Sequence, residues 1–296
     1  MPDPNASDTD KNEDGFNRIL VASDLTAYSD RAFDRAVLLA EENDAALRLL
    51  HAIDPNVLPE SYVQRNINEA KRDLEHEVQD SGIDKRLSVS VAVGRGDTDK
   101  VVVDEARSMQ ADLIVMGLSH DTALTSIIRG TTIDKVVRSA PCPIVVVKTR
   151  ARRAYKKIAM AIDLAEPSRQ ALDVALHAFP EGEFTIIHVD ETGPGDRDGE
   201  TTDDPKEIER RHQIEDLVTA RFAAAGRDGL GSINGPTLIV EGGKASKALQ
   251  KHVAELAPDL VVLGTHGRTG VSKLFLGSVA ETLLDVLSQD VLVARA

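Results

Sequence analysis

The chain contains an internal repeat long enough to encode a whole fold. Residues 111–117 (ADLIVMG) return 147 residues later as 258–264 (PDLVVLG). A small-residue pair follows each copy at the same distance: Gly130-Thr131 in the first copy and Gly277-Ser278 in the second. A repeat at this spacing indicates one fold encoded twice. The two copies can therefore be compared position by position, and chemistry present in one can be missing from the other.

Other equivalent segments show where the copies differ in length. Residues 19–24 (ILVASD) resemble 158–163 (IAMAID), 139 positions on, and 49–51 (LLH) resemble 186–188 (IIH), 137 positions on. The spacing has grown to 147 by the ADLIVMG segment. The second copy therefore carries an insertion, and its evident candidate is 191–205 (ETGPGDRDGETTDDP).

The length fits two domains. A chain of 296 residues has room for two units of roughly 140 residues, a common domain size. The first residues are polar, acidic and without periodicity, which is typical of disorder. The predicted division is a disordered acidic tail over 1–15, a first domain over 16–149, a linker over 150–156 and a second domain over 157–296.

Apolar runs alternate with helical patterns in both copies. The runs are continuous, as expected of strands that a parallel sheet buries on both faces. The sequence therefore predicts an α/β, flavodoxin- or Rossmann-like fold with two repeated open parallel five-stranded sheets and helices on both faces. The predicted strands are 18–22, 46–52, 87–93, 113–116, 144–148, 158–162, 184–189, 236–240, 260–263 and 291–294. The predicted helices are 29–43, 61–81, 98–110, 130–139, 167–179, 205–225, 244–256 and 278–287.

Composition argues against several classes of function. A net charge of −14, from 49 acidic against 35 basic residues, disfavours a nucleic-acid-binding surface, which needs a basic face. No apolar run approaches the ~18 residues of a membrane span, and the N-terminus lacks the apolar segment of a signal peptide. The single cysteine, Cys142, cannot form an intrachain disulfide and is predicted to be buried. These features predict a cytoplasmic protein with no nucleic-acid or membrane partner.

One short segment departs from the acidic balance. Residues 148–157 (KTRARRAYKK), which join the copies, hold six basic residues in ten. A nucleic-acid contact is one interpretation of this segment. The preferred one is a solvated linker that touches acidic surfaces of the same molecule.

The second copy places glycines where a ligand could meet bare backbone. Gly264 ends a strand, Gly267 lies in the turn beyond it, and Gly277-Ser278 open a helix. Ligands of open α/β sheets bind beyond the carboxyl ends of the strands. The first N–H groups of a helix lack intrahelical partners, and glycine lets a phosphate approach them closely. The pattern favours a nucleotide-phosphate site, although glycines that serve only turns and a helix cap would show the same spacing.

This constellation resembles the nucleotide-binding signature of the universal stress protein family. Other family-like features are Asp24 and Asp163 at the ends of the first strands, the LLH and IIH ends of the second strands, and the final strand 140–147 (APCPIVVV). The resemblance covers both copies, so the chain looks like a tandem member. It implies a strand order of 3-2-1-4-5 in each copy, pairing through the final strands, and binding of ATP.

The resemblance assigns site residues in the second copy. Those flanking adenine and ribose would be Ala161, Ile162, Asp163 and Val189. Those lining the ribose and phosphate path would be Gly264 and Gly267, and those holding the phosphates would be Gly277, Ser278 and Val279. Asp163 could instead serve only to cap the following helix, and both roles stay open on the sequence.

The first copy departs from the signature. His120 stands where the second glycine is expected. Its side chain would occupy the space of the ligand, and a left-handed backbone there would cost about 1 kcal/mol or more. We therefore expect weak or absent nucleotide binding at the equivalent first-copy residues, which are Asp24, Ala52, Gly117, Gly130 and Thr131.

Two classes of function fit these features. The first is a stress-response regulator that binds ATP or another adenine nucleotide, with or without Mg²⁺, mainly in its second copy. Since no convincing general base or metal cluster is apparent, at most weak ATP hydrolysis is expected. The second class is a ligand-free interaction module built as an intrachain pseudo-dimer. Either could form homo-oligomers. An adenylate-forming enzyme on the same scaffold would need a catalytic signature that is not visible.

The balance of charged residues also predicts a dependence on salt. Aspartate outnumbers glutamate 30 to 19 and arginine outnumbers lysine 22 to 13. Dense carboxylates keep proteins soluble at high salt, although an ordinary acidic protein is a compatible interpretation. We expect the melting temperature to rise steeply across a series of KCl concentrations, followed by circular dichroism. Full stability at low salt would remove this hypothesis.

Overall fold

Ten strands and eight helices make up the part of the chain that the structure describes. It is a computed structural model that describes residues 15–55, 60–83, 87–118, 131–191, 205–265 and 276–294. The strands are β1 (Arg18–Ser23), β2 (Ala46–Ile53), β3 (Val89–Arg95), β4 (Leu113–Gly117), β5 (Ile144–Val147), β6 (Lys157–Ala161), β7 (Glu183–Asp190), β8 (Thr237–Gly242), β9 (Leu260–Gly264) and β10 (Asp290–Ala294). The helices are α1 (Ala27–Asn43), α2 (Glu60–Asp80), α3 (Thr98–Ser108), α4 (Thr132–Ser139), α5 (Glu166–Ala178), α6 (Pro205–Ala224), α7 (Ala245–Leu256) and α8 (Ser278–Val286).

The strands form one continuous sheet in the order β3-β2-β1-β4-β5-β10-β9-β6-β7-β8. Within each half all neighbouring strands are parallel and the order 3-2-1-4-5 appears, so the predicted fold class is confirmed. The halves meet where β5 and β10 pair antiparallel, with Leu292 opposite Val145. The predicted pairing through the final strands is also confirmed, and it merges the two sheets into one.

Two hydrophobic cores lie on opposite faces of this sheet, and both extend across the junction. Alternate residues of a strand point to opposite faces, so Val145 and Leu292 lie in one core while Val146 and Val291 lie in the other. The first core is covered by α1, α2, α5 and α6, and the second by α3, α4, α7 and α8. Because each core contains residues of both halves, apolar burial stabilises the halves together rather than separately.

Two expectations from composition can be compared with the structure. Among the described residues, no helix is long and apolar enough to cross a membrane. Cys142 is buried, as predicted. Burial, followed by the nearby charge of Asp112, raises the pKa of its thiol to about 12, so the reactive thiolate is scarce at neutral pH.

The linker between the halves is docked on the second half. Asp290, at the start of β10, has no exposed side-chain surface. Its carboxylate accepts hydrogen bonds from the backbone N–H groups of Lys148 and Thr149, both at 2.8 Å, and from the Tyr155 hydroxyl at 2.6 Å. Tyr155 is buried, and its ring packs edge-on against Phe179 at 5.7 Å. The basic side chains around it, such as Arg152, Arg153 and Lys156, are exposed, and the segment contacts acidic residues of the same molecule, as expected. The burial of Tyr155, which anchors the linker, is the feature that the sequence pattern did not predict.

Arg35 of α1 connects this cluster to the first half. Its Nε lies 3.6 Å from Asp290 Oδ2, its guanidinium stacks on the Tyr155 ring at 3.8 Å, and its Nη1 donates to the Arg153 carbonyl at 2.8 Å. Burial, followed by the charge of Asp290, raises the pKa of Tyr155 well above its ordinary value. The hydroxyl therefore stays protonated and continues to donate at neutral pH.

We predict that Asp290→Ala destabilises the whole chain by about 3–5 kcal/mol, because it leaves the Arg35 charge buried without its carboxylate. Chemical denaturation followed by circular dichroism measures this loss. The matched control is Asp104→Ala, which removes a carboxylate that is 74% exposed and 3.4 Å from Arg107. That change should cost less than about 1 kcal/mol. Equal losses for the two variants would contradict the role of Asp290.

A half-buried carboxyl group between α1 and α2 makes folding sensitive to pH. Burial, followed by the negative charges of Asp30 and Asp34, raises the pKa of Glu77 from 4.5 to about 7. Since the folded-state pKa is the higher one, the fold favours the protonated acid. That contribution to stability is fully present below pH 4.5 and is lost as the pH rises through about 7.

Glu77→Gln, which mimics the protonated acid, should therefore raise the melting temperature above pH 7 and leave it unchanged at pH 4. Thermal melts across this pH range test the expectation. The control is Glu75→Gln on the same helix, where the side chain is 45% exposed and 3.9 Å from Lys71. A gain at pH 8 that persists undiminished at pH 4 would show that ionisation of Glu77 is not the cause.

Candidate functional site

A cleft of about 270 Å³ opens at the carboxyl ends of the second half's strands. It lies where the strand order reverses, with β6 between β9 and β7, which is where open parallel sheets bind ligands. The predicted site residues that line it are Ala161, Ile162, Asp163, Val189, Gly264, Gly277, Ser278 and Val279. Gly267 lies outside the described residues. The fold thus brings together residues more than a hundred positions apart.

Helix α8 begins at one wall of this cleft without a side-chain cap of its own. Its N-cap residue is Gly277, with φ −62° and ψ 147°. Any residue can adopt that conformation, so the backbone does not require a glycine there. The first N–H groups of a helix need partners from outside it. A glycine and then Ser278 leave room for an anion to approach them.

The equivalent helix of the first half is capped by its own chain. Thr131 is the N-cap residue of α4, and its hydroxyl accepts a hydrogen bond from the Asp134 N–H at 3.4 Å. At α4 the Thr131 side chain therefore accepts a hydrogen bond from the first turn. At α8 no side chain of the N-cap residue does so, and a ligand could supply that acceptor. Gly130, the residue before it, lies outside the described residues.

Asp163 holds the turn into α5. Its Oδ1 accepts hydrogen bonds from the Ala165 N–H at 3.0 Å and from the Ser168 hydroxyl at 2.6 Å. Asp24 makes the same kind of turn in the first half, with the N–H and hydroxyl of Thr26 at 3.1 and 2.6 Å. Of the two roles left open by the sequence, the structural one is therefore present. Both Asp163 bonds use Oδ1, so the role of a ligand acceptor is still compatible through Oδ2.

A histidine near the end of β2 and another near the end of β7 each contact the end of a neighbouring strand. His188 Nδ1 lies 2.8 Å from the Ile162 carbonyl, and His51 Nδ1 lies 2.9 Å from the Ser23 carbonyl. Each imidazole therefore ties the end of one strand to the end of its neighbour. Each histidine therefore has a structural role, and in the second half this contact fixes the wall that carries Val189.

Gly264 packs closely against the first turn of α5. A β-carbon at this position would stand 3.1 Å from backbone atoms of Pro167 and Ser168. Contacts this short with backbone force neighbouring atoms to shift. Packing is therefore a role of this glycine that the sequence did not indicate, whereas the backbone angles of Gly277 do not require a glycine.

Among the described residues, the first half has a cleft that includes one of the residues predicted for its weaker site. A cleft of about 460 Å³ there is lined by His51, Ala52 and three carboxylates, Asp54, Glu69 and Asp73. Of the residues expected to form the weaker site, Ala52 lines this cleft, whereas Asp24, Gly117 and Thr131 do not. Gly130 and His120 lie outside the described residues. Carboxylates at this cleft disfavour a bound phosphate.

Sequence reasoning missed the wall of the cleft that α7 provides. Ala245 lines it together with Glu191, and the Glu191 Oε1 accepts a hydrogen bond from the Ala245 N–H at 3.1 Å. The available signal was the glycine pair Gly242-Gly243 directly before the helix predicted over 244–256. That helix is confirmed, since α7 begins at Ala245, but nothing local shows that the turn before it faces the ligand crevice.

The charges around the cleft are few. Among the described lining residues, Asp163 and Glu191 are acidic and none is a lysine or arginine. The positive end of the α8 dipole is therefore the main attraction for an anion in this part of the structure. No group of three or more His, Cys, Asp or Glu side chains in the described ranges is arranged to hold a metal ion.

Comparison with known proteins identifies the family. The model of the universal stress protein family matches residues 15–148 and again residues 154–295. The chain belongs to the universal stress protein family. It is a tandem member, with two such domains.

Individual relatives agree with this assignment. A putative universal stress protein from Pseudomonas aeruginosa UCBPP-PA14 has the same fold, with a TM-score of 0.68 and 24% identity over 95% of this chain and 93% of its own. The universal stress protein YxiE of Bacillus subtilis is 26% identical over 147 residues, which are 45% of this chain and 99% of that protein. Another universal stress protein, solved in complex with cAMP, covers 45% of this chain at 20% identity and a TM-score of 0.37.

Proposed function

We propose that the chain is a regulatory protein that binds an adenine nucleotide, ATP by preference, in the cleft of its second half. The observation that carries the proposal is the meeting of three separate segments at one crevice. The ends of β6 and β7, the end of β9 and the uncapped first turn of α8 all line the same cleft. That arrangement offers an apolar wall to a base and main-chain donors to phosphates.

Each wall of the cleft has a defined part in this proposal. Ile162 and Val189 would flank the adenine, and Asp163 Oδ2 would accept a hydrogen bond from a ribose hydroxyl. The N–H groups that follow Gly277 and the Ser278 hydroxyl would hold the phosphates. Any Mg²⁺ would arrive with the nucleotide and be held through its phosphates, because the described lining residues form no metal site of their own.

The proposed role is binding rather than turnover. The carboxylate closest to the proposed ribose position, Asp163, is engaged by Ala165 and Ser168 at its Oδ1. It is therefore a turn-forming group rather than a mobile general base. Slow hydrolysis would reflect positioning of the phosphates alone. A bound nucleotide would act by changing how α8 packs against the first half.

We predict that ATP raises the melting temperature of the full chain, since a ligand that binds only the native state stabilises it by about 2.7 kcal/mol at one hundred times its Kd. Gly277→Val combined with Ser278→Ala should abolish the shift, because a side chain then fills the phosphate position. Differential scanning fluorimetry with ATP, ADP, AMP and cyclic AMP measures both effects and ranks the ligands.

The matched control is Thr131→Ala at the equivalent position of the first half. It removes the α4 cap and should lower the basal melting temperature by the equivalent of about 1 kcal/mol, while the shift caused by ATP stays intact. If the parent chain responds to no adenine nucleotide, the nucleotide proposal is wrong and a ligand-free interaction module takes its place. Equal loss of the ATP response in both variants would mean that the site is not confined to the second half.

A further inference from the structure

The first turn of α8 carries a negative charge close to the proposed phosphate position. Glu281 follows Ser278 by three residues, and its N–H donates to the Gly277 carbonyl at 2.9 Å. Residues three apart on a helix are neighbours on one face, with β-carbons about 5–6 Å apart. A carboxylate there stabilises the free helix, but it repels a phosphate that binds to the same helix end.

A residue of the first half contacts this carboxylate. Arg138, in the last turn of α4, donates a hydrogen bond from Nη2 to Glu281 Oε1 across the junction, and another from Nε to Asp134 Oδ1 at 2.7 Å. The side chains of Arg138 and Glu281 are 20% and 30% exposed. Burial by itself lowers the pKa of Arg138, but its hydrogen bonds to Glu281 and Asp134 outweigh burial and raise it.

The sequence repeat does not reproduce this arginine in the second half. The repeat spacing of 147 makes Glu281 the equivalent of Asp134, and Asp285 the equivalent of Arg138. Each first-turn carboxylate is thus repeated, but the arginine is not. Arg138 belongs to the half whose helix α4 is capped by Thr131. It contacts α8, the helix whose N-terminus has no side-chain cap.

We infer that Arg138 of the first half is a positioning residue for the nucleotide site of the second half, where it offsets the charge of Glu281 against the bound phosphates. This inference rests on the proposed function. The described lining residues of the cleft include no lysine or arginine, so among the described groups the charges at the α8 terminus act on a bound phosphate. By linkage, a bound nucleotide strengthens the contact between the halves by the same factor.

Isothermal titration of the full-length chain tests this inference with ATP and with adenosine, which carries no phosphate. Arg138→Gln should weaken ATP binding about 3- to 10-fold, the size expected of one partly screened charge near a helix end, and leave adenosine binding unchanged. Adding Glu281→Gln to Arg138→Gln should restore ATP affinity to within about twofold of the parent, because the uncompensated carboxylate is gone. The matched control is Arg107→Gln, which removes an arginine that pairs with Asp104 of its own helix and should change neither affinity.

Several outcomes would overturn the inference. One is that Arg138→Gln binds ATP as tightly as Arg107→Gln does. Another is that Arg138→Gln loses ATP and adenosine affinity equally. The third is that adding Glu281→Gln to Arg138→Gln does not restore ATP affinity. If Arg138→Gln does not fold, Glu281→Gln alone decides: ATP binding should tighten about two- to fivefold with adenosine unchanged, and no change overturns the inference. A parent chain that binds adenosine and ATP equally refutes the coupling alone, whereas a parent that binds neither also refutes the proposed function.

Discussion

The antiparallel pairing of β5 and β10 is the contact on which the rest of the molecule depends. It joins two five-stranded sheets into one, and it lets both hydrophobic cores continue from one half into the other. Asp290 reinforces the junction by accepting hydrogen bonds from the linker at Lys148, Thr149 and Tyr155. The edges of β5 and β10 form hydrogen bonds with each other within one chain, so the backbone groups of these edges are not available to a second chain. Any homo-oligomer would have to use another surface.

The junction also gives the two equivalent helices different surroundings. Helix α8 is held near both ends by the first half and the linker: Arg138 bonds Glu281 in its first turn, and the Lys148 ammonium donates to the Leu287 carbonyl at 2.8 Å beyond its last turn. Burial lowers the pKa of Lys148 to about 8, yet the carbonyls at a helix C-terminus favour its charged form. A helix that contacts both the ligand crevice and the junction is suited to connect them.

Much of the fold was predictable because its signals are local. Strands buried on both faces must be continuously apolar, so runs such as 113–116 and 144–148 marked β4 and β5 to within a residue. The repeat supplied a second estimate of every element. The burial of Tyr155 was not predictable, because six basic residues surround this one ring in the pattern and its burial depends on Asp290 and Arg35, which are distant in sequence. Likewise, only the fold shows that the turn at Ala245 lines the same cleft as Gly277.

By itself, the sequence determined the repeated α/β architecture, the strands that are buried on both faces, and the glycine and serine that open α8. These follow from periodicity and from the conformations that each residue allows. Only the tertiary structure decided that Gly264 packs closely against α5, and that an arginine from one half meets a carboxylate at the other half's helix end. Such pairings depend on distances between segments that the chain brings together only when it folds, so no local pattern encodes them.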